Sequence, residues 1–147
     1  RLFDIFAALS ERLRYTRVAC GDWSRICTPA VTYRHGLTAV FLDPPYDGFE
    51  SLYGATEEGE PLSARVRAWA LANGARPDMR IALAGYEGEH DALTAAGWQI
   101  VAWKAKGGYS NQGTGNENAK RERIWFSPAC LKPGVNVGQI GLFARTA

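Results

Sequence analysis

The sequence predicts an α/β domain with a mostly parallel sheet and one antiparallel hairpin at its edge. Three observations carry this. Thr38–Leu42 and Met79–Ala84 are apolar, β-rich runs of strand length, and between them lies a segment with helix punctuation, Pro61 at its start and Gly74 at its end. A helical crossover of that length joins parallel neighbours. The chain then continues into two further β-rich runs, Gln99–Ala105 and Glu122–Ser127, with no helix-patterned segment between them, which is the sequence of an antiparallel pair.

The 147 residues are enough for a single domain, spanning 1–147, with a core of its own. No apolar run approaches the length of a membrane-spanning helix, and no signal peptide opens the chain, so a cytoplasmic protein is expected. Cys20, Cys27 and Cys130 are odd in number and lack C-x-x-C spacing, which argues for reduced thiols and against a zinc site. A net charge of +2 does not by itself point to nucleic acid; only its distribution can.

Leu2, Phe6, Leu9 and Leu13 recur at helical spacing, so residues 2–14 read as an amphipathic packing helix. Arg17–Cys20 reads as a short strand ended by Gly21-Asp22-Trp23. Asp22 either caps the turn that follows or presents a carboxylate at that strand's carboxyl end. Thr28–Gly36 is a linker, and Asp47–Glu60 is a polar, Gly-rich loop, a candidate lid or DNA-contact loop. In the next helix Leu62, Val66, Trp69 and Asn73 form one stripe. Gly85-Tyr86 follows the second long strand, and Glu87–Ala96 reads as a short helix stopped by Gly97. Glu89-His90-Asp91 has neither H-E-x-x-H spacing nor a second His nearby, so it reads as a solvated acidic turn and no metal site is predicted. Leu131–Ala147 reads as an extension with one apolar segment, Ile140–Phe143.

Chemistry concentrates where the first long strand stops. Thr38–Leu42 runs into Asp43-Pro44-Pro45-Tyr46. Two successive prolines cannot continue a ladder, because neither has an N–H to donate. A carboxylate, two carbonyls on a rigid backbone and an aromatic ring therefore collect at the carboxyl end of a strand, where open α/β sheets place their ligand crevice.

T-A-V-F-L-D-P-P-Y resembles the signature of the Dam-like class of adenine-specific DNA methyltransferases. Val18–Trp23, Arg80–Tyr86 and Arg121–Ser127 resemble the phage and prophage members in particular, so the resemblance covers most of the chain. It implies the Rossmann-like fold of S-adenosylmethionine-dependent methyltransferases, S-adenosylmethionine as cofactor, and DNA as partner. Asp43, Pro44, Pro45 and Tyr46 become the catalytic residues. Asp22 would accept from the cofactor's adenine amino group, Trp23 would pack on its ring, and Asp43 would also touch the cofactor. The family's F-x-G-x-G motif, which holds the methionine end, does not occur here. The resemblance therefore implies a C-terminal catalytic portion whose glycine motif lies upstream in the same protein, working in a bacterial or phage-infected cell, for example in restriction-modification.

Positive charge gathers around the loop of the final strand pair. Lys104, Lys106, Lys120, Arg121 and Arg123 flank a Gly/Asn/Ser-rich segment that carries Tyr109. Lys106, Tyr109, Lys120, Arg121 and Arg123, with Tyr46, are the candidate DNA-binding residues, suited to a phosphate backbone and an extruded base. Asp at the first signature position leans towards adenine over cytosine, RNA or protein glutamine as substrate. A nucleic-acid-binding remnant without catalysis is the alternative of another class.

Overall fold

A computed structural model describes residues 1–46, 60–102 and 120–131. The elements are α1 (Leu2–Leu13), β1 (Thr38–Leu42), α2 (Leu62–Asn73), β2 (Met79–Tyr86), α3 (Asp91–Ala95), β3 (Gln99–Ala102) and β4 (Glu122–Phe126), with single 3-10 turns at Trp23–Arg25 and Tyr33–His35. The strands form one sheet in the order β1-β2-β4-β3. β1 and β2 run parallel through the α2 crossover, as expected from the Pro61 and Gly74 punctuation. β4 is antiparallel to both β2 and β3. The fold is thus α/β with a mixed sheet and the predicted edge hairpin, but "mostly parallel" is corrected: one of three pairings is parallel.

Register sorts the side chains into two faces. Val40 stands beside Ile81, and Leu42 beside Leu83 and, across β2, Trp125. These join Val66 and Ala70 of α2, Leu93 of α3 and Trp98 in one core. The opposite face carries Phe41, Ala82 and Phe126 in one row and Ala84 and Ile124 in the next. Phe41 is 62% exposed there.

Several sequence expectations change. Arg17–Cys20 is not a strand: it pairs with nothing among the described residues, and Val18 is 96% exposed. A short β-rich run without a neighbouring edge has no ladder to join. The helix over 2–14 forms, but none of its residues is buried, so it does not pack within the described residues. The fully buried residues of α2 are Ser63, Val66 and Ala70, with Leu62 and Trp69 of the expected stripe half-buried against the same core. β2 runs on through Gly85 and Tyr86, and α3 is shorter than residues 87–96. The solvated acidic turn is also overturned, because His90 is fully buried and the Glu89 side chain nearly so. The loop over 47–60, residues 103–105 of the third predicted strand and nearly all of the 131–147 extension lie outside the described residues.

Gly74 is where α2 meets the core. It has ordinary helical φ, so alanine suits its backbone and gains up to about 1 kcal/mol in helix propensity. An added Cβ, however, falls 2.4 Å from Cζ2 of Trp98, whose ring is part of the core. Overpacking costs about 1–3 kcal/mol and outweighs the propensity gain. Gly74→Ala is therefore expected to lower the urea midpoint of unfolding at unchanged slope; a raised midpoint would show that Trp98 moves freely.

Candidate active site

The site is built at the carboxyl ends of β1 and β2, where the hairpin brings in the start of β4. β1 delivers Asp43 one residue beyond its last ladder pair, Leu42 with Leu83. Asp43 is exposed, Pro44 is buried, and Pro45 and Tyr46 are half-buried. The diproline therefore anchors the corner while the carboxylate stays open to solvent. Tyr46 turns back on Asp43, close enough for the carboxylate to act on its hydroxyl. Burial, then the nearby Asp43 and Glu122 carboxylates, push the Tyr46 phenol well above its ordinary value, so it stays protonated and can donate.

Two residues that sequence reasoning missed complete the cluster. Tyr86, the last residue of β2, packs edge-on against Tyr46 with ring centroids 4.6 Å apart. Glu122 opens β4 directly opposite Tyr86, so the two share a face. Burial, and then Asp43, raise the Glu122 carboxyl above the usual carboxylate range. Tyr86 is raised by burial and by Glu122, against the pull of Arg121, whose guanidinium carbon lies 4.7 Å from the centre of the Tyr86 ring. Only the register of β2 against β4 could have revealed this, and those strands are separated in the chain by α3 and β3.

Behind the site, Gly85 lies against His90: a Cβ there would fall 2.7 Å from the imidazole Nε2. The Glu89 carboxylate accepts from the Tyr86 amide at 2.8 Å, and Arg67 of α2 donates to the Glu89 carbonyl at 2.8 Å. The turn after β2 thus fixes the strand end that carries Tyr86.

The other predicted residues fall elsewhere. Asp22 caps the turn at Trp23–Arg25: its Oδ1 accepts from the Ser24 amide at 2.9 Å and from the Ser24 hydroxyl. The hydroxyl and then the amide hold its carboxyl below the usual range. Its Oδ2 lies 3.8 Å from Arg65 of α2. Trp23 packs edge-on against Trp69, centroids 6.2 Å apart, and the Trp69 indole donates to the Cys27 carbonyl at 3.1 Å. The Asp22-Trp23 turn therefore leans on α2, and no hydrogen bond, ion pair or ring contact joins it to Asp43 among the described residues.

Of the basic residues, Arg123 is engaged internally: it pairs with Glu87 at 2.8 Å and donates to the Lys120 and Glu122 carbonyls. Lys120 and Arg121 are exposed. Lys106 and Tyr109 lie outside the described residues. Among the described residues no group of His, Cys, Asp and Glu is placed to hold a metal ion, and no helix is long and apolar enough to cross a membrane. No protein-family model, curated protein or solved structure matches the chain.

Proposed function

We propose that the chain is the catalytic portion of an adenine-specific DNA methyltransferase, transferring a methyl group from S-adenosylmethionine to the 6-amino group of a flipped-out adenine. The observation that carries this reading is the corner itself: an exposed Asp43 carboxylate and a half-buried Tyr46 ring on either side of a buried proline, at the carboxyl end of a parallel strand.

The residues present suit one end of the cofactor. Asp22 Oδ2 is beyond hydrogen-bond reach of Arg65, and its half-exposed carboxylate can accept from an adenine amino group. Trp23 beside it offers a half-buried ring. For the methionine end this chain has no F-x-G-x-G loop. When bound, the cofactor supplies an electrophilic methyl group on a sulfonium.

The chain's own work is on the amine. An adenine amino nitrogen is a poor nucleophile because its lone pair is delocalised into the ring. Acceptors on both hydrogens let the nitrogen pyramidalise and direct that lone pair. Asp43 supplies one acceptor and the Pro44 carbonyl the second, on a backbone whose φ the proline ring fixes. Both interactions strengthen as the nitrogen gains positive charge, so they favour the transition state over the ground state.

The base must leave the duplex to reach this corner. Tyr46 is the ring on which it stacks, and stacking of this kind contributes about 1–3 kcal/mol. Tyr46→Ala is therefore expected to weaken base extrusion by roughly tenfold while duplex binding changes little. Fluorescence of 2-aminopurine at the target position reads extrusion directly, and a signal unchanged by the substitution removes Tyr46 from this role.

The missing glycine loop favours one other reading, a remnant that binds nucleic acid without catalysis. Labelled S-adenosylmethionine and adenine-containing DNA separate the two. Incorporation supports the enzyme; DNA binding with neither incorporation nor cofactor binding supports the remnant.

A further inference from the structure

We infer that Glu122 is a second catalytic carboxylate of this site, placed with Asp43 to face the amine under methylation and to receive its proton. The inference rests on the methyltransferase reading and adds to it a residue outside the four-residue signature.

The argument starts from what Glu122 lacks. Asp43 and Glu122 are two acids brought to one corner by different strands. The cations nearest in sequence are spent or turned elsewhere: Arg123 pairs with Glu87, and Arg121 lies over the Tyr86 ring. No ion pair joins Glu122 to a cation among the described residues. The groups around it are Tyr86, its ladder partner on β2, Tyr46, whose ring packs on Tyr86, and Asp43, whose charge acts on it; Arg121 and Arg123 are its neighbours in sequence. A half-buried carboxyl held near a second carboxylate without a cation is unfavourable in the free protein. A pair of acids left uncompensated is, conversely, a ready site for a group that becomes positive.

The methylated amine is such a group. The nitrogen lone pair forms the N–C bond as the methyl carbon–sulfur bond breaks, its electron pair staying on sulfur, so sulfonium becomes thioether. The nitrogen is left cationic with two hydrogens. The N–H bond whose hydrogen the Pro44 carbonyl had accepted then breaks, its electrons return to nitrogen, and the proton, which a neutral carbonyl cannot keep, goes to the Glu122 carboxylate. Burial, and then the Asp43 charge, raise Glu122. Because both effects favour its protonated form, Glu122 becomes charged at higher pH than an ordinary carboxyl. Methyl transfer should therefore slow as pH falls through that raised range.

Single-turnover incorporation by the full chain, with labelled S-adenosylmethionine and adenine-containing duplex DNA from about pH 5 to about pH 8, tests this. Glu122→Gln keeps shape and loses charge. It is expected to slow transfer roughly a hundredfold and to lose the acid limb of the profile. Glu122→Asp should recover part of the rate and restore that limb. A second readout needs no activity: the carbon-13 resonance of the Glu122 carboxyl should titrate above the ordinary glutamate value and fall in Asp43→Asn. If Glu122→Gln keeps the rate and profile while Asp43→Ala is inactive, the inference fails and the methyltransferase reading stands. If Glu122 titrates normally and ignores Asp43→Asn, the inference fails whatever the activity. Lack of incorporation by the unaltered chain, or full incorporation by Asp43→Ala, overturns the reading and this inference with it.

Discussion

Asp43→Ala is expected to reduce methyl incorporation into adenine-containing DNA by on the order of a hundred- to a thousandfold, the loss typical when one preorganised partner of a developing charge is removed. The substitution takes away the acceptor that polarises the amine and the negative charge that acts on the half-buried Tyr46 hydroxyl. Asp43→Asn separates the two effects. Its amide oxygen still accepts from the amine, but without charge, so it should lie between alanine and the unaltered chain. Folding offers no alternative explanation for a large loss. Asp43 is exposed and lies beyond the last β1 ladder pair, and substitutions at such positions usually move stability by no more than about 0.5 kcal/mol. Equal urea midpoints with unequal incorporation are the expected pair of results. Full incorporation by Asp43→Ala would place the chemistry elsewhere.

What could be seen in the sequence was local. Pro61 marks the start of α2 through backbone sterics that no distant residue changes, whereas Gly74, whose φ is helical, ends it against the Trp98 ring. The diproline ends β1 where it must, since a missing N–H is missing in any tertiary context. Arg17–Cys20 was misread for the converse reason: β-propensity describes how a residue fits a pleated surface, and Val18 has no such surface beside it. His90 and Glu89 were misread because charge and polarity suggest solvent. Gly85 leaves room on the core face of β2 that the His90 ring fills, and the Tyr86 amide gives the Glu89 carboxylate a donor. Glu122 reads in the sequence only as the first residue of a β-rich run. Its place beside Tyr86 depends on the register of β4 against β2, strands separated in the chain by α3 and β3, so no local turn sets it. Nonlocal pairing thus holds the information that propensity and spacing lack, and here it lies at the site itself.

The same register makes Trp125 the residue on which the site's integrity depends. It sits in β4 opposite Leu83 and Ile100, fully buried, and is the largest side chain so placed. Its ring meets His90 edge-on with centroids 5.0 Å apart, and its indole N–H donates to the Thr94 hydroxyl of α3 at 3.2 Å. One side chain thus ties the hairpin to α3 and to the turn behind Gly85. Trp125→Ala removes that volume from a region where backbone on both sides is held in ladders and cannot collapse inwards, so it should cost about 3–5 kcal/mol. Against a typical total of about 5–15 kcal/mol, that is enough to unfold a marginal domain. Thr94→Ala, which removes only the acceptor, should cost about 1–3 kcal/mol for the buried N–H left unpaired. Urea unfolding followed by tryptophan fluorescence and circular dichroism gives both values. Because β4 brings Glu122 to Tyr86, Trp125→Ala should also release the Glu122 carboxyl from its raised titration well before the parallel β1–β2 pair is lost. A Trp125→Ala protein with an unchanged midpoint and an unchanged Glu122 titration would mean that the hairpin is held in place by contacts other than this ring.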